Sequence, residues 1–327
     1  MHCMIEIGGV MKLTAAAAAA TLLFGAAASS GAIAEALFES RQLTTPGEYP
    51  DGIEGPAVDA AGNLYVVNLG QKGTIGRVRP GASMSELFAT LPDGSIGNGI
   101  RFDREGRMYV ADHKAHTIFV FEPGQATPRR YFPPQPRSGL FDQPNDLAIA
   151  ADGTLYASDP KPGTRTGRIW RISRAPDGTA RAIVMTSSRA MGRTNGLDLS
   201  PDGRTLYVGK SSSHQLWAYR IDGDRLVAPP RPLIKFDADL DGLRTDVDGK
   251  IYVARVESGT VDVVDPQSRT VIRHVPLTAK NPTNLTFGGP DGKTVFVTQA
   301  KGGYVESFRV ERPGREPCLQ GVPGTCP

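Results

Sequence analysis

Histidine, cysteine and tryptophan are scarce in this chain: five, three and two among 327 residues. That leaves few of the His and Cys ligands that zinc sites are built from. There is no G-x-S-x-G elbow to carry a serine nucleophile. Basic and acidic residues, 37 against 34, are interspersed without a basic run, so neither nucleic acid nor a membrane surface is an expected partner. What is abundant is glycine and proline, 38 and 26 residues, a composition that implies many turns and few long helices.

The one apolar run lies at the start. Met11-Lys12 is followed by an Ala-rich stretch to Ala28 and then by Ala32-Ile33-Ala34, the pattern of a secretory signal with an A-x-A cleavage site. Residues 1–34 are therefore expected to be removed after Ala34, with no membrane association afterwards and a periplasmic or secreted destination. Cys3 goes with the leader, leaving Cys318 and Cys326 as an even pair expected to bond in the tail, residues 313–327. A short loop of this kind is expected only to pin the tail.

Between them one pattern returns six times: a polar residue, an alternating strand, a glycine turn and a second strand rich in Tyr and Val. The copies begin EGPAVDAAGNLYVVN at Glu54, NGIRFDREGRMYVAD at Asn98, NDLAIAADGTLYASD at Asn145, NGLDLSPDGRTLYVGK at Asn195, DGLRTDVDGKIYVAR at Asp241 and NLTFGGPDGKTVFVTQ at Asn284. Their starts are 44, 47, 50, 46 and 43 residues apart. A third strand follows, such as TIFVFEP from Thr117, and usually a fourth, such as SELFATL from Ser85. Four strands in about 45 residues is the signature of a propeller blade. The fold class read from this is all-β, a six-bladed β-propeller of four-stranded blades over residues 35–312. The sixth copy lacks a fourth strand, whereas LFESRQL from Leu37 resembles the outer strand LFATLP from Leu87. An N-terminal strand is thus expected to complete the last blade and close the ring.

In a propeller the innermost strands line one channel, so the residues opening them face the same mouth. All six, Glu54, Asn98, Asn145, Asn195, Asp241 and Asn284, carry a carboxylate or amide oxygen, and four of the chain's seven asparagines are among them. Oxygen donors without His or Cys suit a hard divalent cation, calcium first, with magnesium, manganese or zinc less suited.

These segments resemble the senescence marker protein/gluconolactonase family, which is related to the calcium-dependent diisopropylfluorophosphatase and paraoxonase propellers. The resemblance runs from about Leu37 to Val310 and is carried by IEGPAVD, TNGLDLSPDG and LDGLRTD. It implies that Glu54, Asn195 and Asp241 are calcium ligands, with Asn145 of QPNDLAI a further ligand or substrate contact. It also implies hydrolysis of a lactone or related ester, with Asp241 as general base or, as in the phosphatase branch, nucleophile. Asn98 and Asn284 are expected to line the substrate pocket. The ends of the second strands, among them Lys210 and Arg255, are expected on the rim, where Arg255 can meet an anionic or polyhydroxy substrate. Phe141, in the Pro-rich stretch 132–144, is a candidate for an apolar lid, although a plain loop fits that stretch better. His113 and His116 are read as structural, and Trp170 and Trp217 as packing. Two rivals to an exported calcium-dependent lactonase remain open: a phosphotriesterase or broad esterase on the same site, and a non-catalytic propeller with a structural ion. The partner expected is a small-molecule substrate, and the expected oligomeric state a monomer.

Overall fold

The computed structural model describes residues 36–327 apart from Asp51, Asp93, 133–140, Pro162, 164–165 and 175–178. The signal-like leader therefore lies outside the described residues. The described chain forms six four-stranded antiparallel sheets, each of strands consecutive in sequence except the last. Blade 1 runs outward through Ile53–Val58, Leu64–Asn68, Thr74–Val78 and Glu86–Thr90. The inner strands of blades 2 to 6 are Gly97–Phe102, Leu147–Ile149, Thr194–Leu199, Leu240–Thr245 and Pro282–Gly288.

Alternation builds the core. Small and β-branched residues of the inner two strands meet larger residues of the next blade, so the apolar clusters lie between blades. Ala57, Tyr65 and Val67 of blade 1 pack with Ile100, Met108 and Phe119 of blade 2, with the Tyr65 and Phe102 rings 5.2 Å apart. Such a stack is complete only if it closes on itself, since a last blade would otherwise expose one apolar face.

Closure comes from the N-terminal segment, as expected. Arg41–Gln42 pairs antiparallel with Tyr304–Arg309, Arg41 opposite Ser307 and Gln42 opposite Glu306. Leu43 donates its amide to the Val305 carbonyl at 2.8 Å, and Thr44 Oγ1 accepts from the Val305 amide at 2.9 Å. The sixth sheet is thereby built from both ends of the chain, so neither end can leave without uncovering an edge. Beyond it lies the only α-helix among the described residues, Arg315–Leu319, and Cys318 and Cys326 are disulfide-bonded.

Candidate metal centre

Five of the six ring residues sit at a register fault of their strand. Pairing between inner and second strands shifts between Glu54 and Ala57, Gly97 and Ile100, Thr194 and Leu197, Leu240 and Leu243, and Pro282 and Asn284. One extra residue in the inner strand is a β-bulge, which re-aims side chains. It also breaks the two-residue period, so positions three apart turn to the same side: Asn98 with Arg101, Asn195 with Asp198, Asp241 with Arg244. In blade 3 the strand proper starts only at Leu147, leaving Asn145 and Asp146 ahead of it.

The residue after most ring positions is glycine because the next blade is too close for a side chain. A Cβ on Gly55 would stand 1.9 Å from the Asn98 carbonyl oxygen, one on Gly196 2.4 Å from that of Asp241, and one on Gly242 2.0 Å from Asn284 Oδ1. Gly99 abuts Asn145 and Asp146 in the same way, and its amide donates to the Asn145 carbonyl at 2.8 Å. Asn284 Nδ2 donates to Glu54 Oε2 at 3.3 Å across the closure point. The Asn195 side chain lies beside Asp241 and favours its charged form. Neighbouring ring positions are therefore in contact almost all the way round, although successive ones lie 43 to 50 residues apart and the closing pair 230.

Glu54, Asn98 and Asn284 are buried, while Asn145, Asn195 and Asp241 are half-buried. Burial pushes the Glu54 carboxyl up to about 7, against the pull of the Gly55 amide, and the charge of Asp146 adds to the rise. Burial, then the Glu54 and Asp146 charges, hold Asp241 well above the ordinary carboxylate range, with Asn195 pulling the other way. Two acids that repel each other beside neutral amides form an anionic, oxygen-only donor set. Asn98 Oδ1 is buried without a hydrogen-bond partner, an acceptor that suits a cation or a substrate hydroxyl. Among the described residues no cluster of His, Cys, Asp and Glu suffices alone to hold a metal ion, so a cation here depends on the amide oxygens.

Beneath the ring lies a layer absent from the sequence reading. Arg101 Nη2 and Arg244 Nη1 clasp the two oxygens of Asp146 at 2.8 and 3.0 Å, all three fully buried. Asp198 accepts from the Thr245 amide and hydroxyl at 2.8 and 2.9 Å. The signal was present in NGIRF, NGLDL and DGLRT, each with a charge three residues after the ring position; strict alternation would have turned those charges out of the channel.

The rim differs from the one expected. Arg255 is 3% exposed, its guanidinium bonded to Asp262 and Asp237, each at 2.7 Å, and stacked 4.0 Å from the Phe236 ring. These contacts direct its donors into blade 5 and its loop, where it acts as a brace. Asp112 and Asp159 are likewise buried, accepting loop amides such as Ala115 at 2.7 Å and Gln143 at 2.7 Å. Lys210 is buried with its Nζ 4.1 Å over Trp217. These positions are fixed inside the molecule, so a solvated rim does not describe them. Phe141 is also no exposed lid: it is buried between Phe132 and Trp170. His116 Nδ1 bonds the Asp142 carbonyl.

Fold and site together define a six-bladed propeller with an acid and amide ring at one mouth of its channel. Residues 52–301 match the SMP-30/gluconolactonase/LRE-like region, and the chain belongs to that family. A gluconolactonase of Zymomonas mobilis is 27% identical over 282 residues, covering 75% of each chain. The solved structure of a gluconolactonase from Xanthomonas campestris superposes with a TM-score of 0.67 at 22% identity, over 83% of this chain and 88% of that one. That of a calcium-binding regucalcin from Agrobacterium tumefaciens gives 0.68 at 19% identity, over 83% and 93%. At these identities the structural matches establish the fold alone.

Proposed function

We propose that the protein is an exported, metal-dependent hydrolase that opens a lactone ring at the channel mouth. The observation that carries this reading is the contact of Glu54 with Asn284 and of Asn195 with Asp241 in one ring, within a family that includes gluconolactonases. Glu54, Asn145, Asn195 and Asp241 would hold the cation, calcium by the hardness of the donor set. When bound it supplies Lewis-acid polarisation of the lactone carbonyl and stabilisation of the charge that develops there.

The side chains do the rest. Asp241 takes a proton from the attacking water as its oxygen bonds the carbonyl carbon, and returns it to the departing ring oxygen, leaving a hydroxy acid. Asn195, beside Asp241, favours its charged form. Asn98 offers its undonated Oδ1 to a substrate hydroxyl, and Asn284 lines the pocket beside Glu54. The carboxylate and amide lining suits the hydroxyls of an aldonolactone. Export is supported by the Cys318–Cys326 disulfide, a bond that persists in oxidising compartments. Among the described residues no helix is long and apolar enough to cross a membrane.

The test is turnover of a panel of aldonolactones, apolar lactones, aryl esters and phosphotriesters, with calcium and with chelator. Lactone opening that chelation abolishes, and that Asp241→Asn lowers by about a hundredfold or more, is the expected result. Preference for phosphotriesters or aryl esters would reassign the substrate. Absence of any turnover with calcium present would leave a binding propeller.

A further inference from the structure

After blade 6 the chain does not simply end. Pro313 accepts the Val247 amide at 3.0 Å, Gly314 donates to the Gly292 carbonyl at 3.0 Å, and the short helix then lies across the end of the channel away from the ring. Its first two residues enter that channel end. Arg315 donates to the Ile149 carbonyl of blade 3 at 2.9 Å and pairs with Asp198 of blade 4 at 2.5 Å. Glu316 Oε1 lies 2.7 Å from Arg101 Nε of blade 2 and 3.6 Å from Arg244 Nε of blade 5, while its Oε2 accepts from Thr286 of blade 6 at 3.3 Å. Gln320 donates to the Val58 carbonyl of blade 1 at 3.0 Å. A tail of fifteen residues thus touches all six blades, and its two charged channel residues are 7% and 6% exposed.

The charges balance in a telling way. Three guanidiniums, of Arg101, Arg244 and Arg315, face three carboxylates, of Asp146, Asp198 and Glu316. That layer is neutral, so whatever negative charge Glu54 and Asp241 carry when they ionise onto a cation is uncompensated from below. We propose that Arg315 and Glu316 are positioning residues of the ring: the tail sets the charge beneath it and so tunes its affinity for a dication. This rests on the ring being a cation site. The coupling is electrostatic through a low-dielectric channel, where a unit charge acts over longer distances than in water.

Opposite signs distinguish this from mere bracing. In the full mature chain, Glu316→Gln leaves one excess positive charge under the ring and is expected to weaken calcium binding by about tenfold. Arg315→Gln leaves one excess negative charge and is expected to tighten it by a similar factor. Joining both substitutions restores neutrality and brings affinity back near the wild type, as does Glu316→Asp. Affinity is read by calorimetry with calcium and by terbium luminescence, with thermal melts to establish folding. Should Glu316→Gln fail to fold, Arg315→Gln and the double variant carry the same comparison. Folded variants that all bind more weakly, or that all match the wild type, overturn the role given to the tail. A wild type that binds neither calcium nor terbium instead overturns the cation site itself, and with it this role.

Discussion

Replacing Gly242 by alanine tests whether neighbouring inner strands are pressed together at the ring. The added Cβ would stand 2.0 Å from Asn284 Oδ1 and 2.8 Å from its Cα, against about 3.4 Å for ordinary contact, so Asn284 must retreat by more than an ångström. Its 3.3 Å bond to Glu54 cannot survive that movement. Overpacking of this kind costs about 1–3 kcal/mol, and at this chain length each kcal/mol lowers the melting temperature by roughly 2–4 °C. Gly55→Ala is expected to be worse: its Cβ meets the Asn98 backbone oxygen at 1.9 Å, and its φ of +56° adds roughly 1–2 kcal/mol for an L side chain. Gly163, with open space around its Cβ position, is the control, and alanine there should stay within about 0.5 kcal/mol. Thermal unfolding of the three variants, with calcium titrations beside it, gives the ranking Gly55, Gly242, Gly163 in order of decreasing damage. Gly242→Ala as stable as Gly163→Ala, with undiminished calcium binding, would refute the close approach and the continuity of the ring built on it.

Two further outcomes are expected. Deleting residues 36–44 exposes the Tyr304–Arg309 edge and should lower the melting temperature by about 5 °C or more and promote association, seen by size-exclusion chromatography; an unchanged monomeric melt would contradict the closure. Asp246, buried and accepting the Lys250 and Asp248 amides, has its carboxyl pushed up to about 6 by burial. The folded chain thus keeps a proton that the unfolded chain releases near pH 4. Asp246 should therefore contribute a fall in stability of about 3 kcal/mol as pH rises from about 4 to 6. Urea midpoints across that range should fall less steeply in Asp246→Asn, and an equal slope in both proteins would contradict this origin.

The periodicity of hairpins made the blades legible, because a two-residue alternation with a glycine turn leaves few alternatives. The closing strand was legible too, because Leu37–Leu43 supplied what the sixth copy lacked. Ring residues could be picked out because each opens its repeat with an oxygen donor. Arg101, Asp198 and Arg244 were hidden by the bulges, which make positions three apart share a side and which no local composition announces. Glu316 and Arg315 were hidden for another reason: their partners lie in blades 2 to 6, up to 215 residues away, and a Pro- and Gly-containing tail carries no periodicity to show where it docks. Arg255 misled because a charged residue at a strand end reads as exposed, whereas the buried Asp262 draws it inward and the exposed Asp237 covers its outer side.

The most direct measurement is a crystal structure of the mature protein grown with calcium. One ion is expected at the channel mouth, about 2.4 Å from oxygens of Glu54, Asn145, Asn195 and Asp241. A mouth without an ion at saturating calcium, or an ion held away from Glu54 and Asp241, would contradict the ring as a cation site.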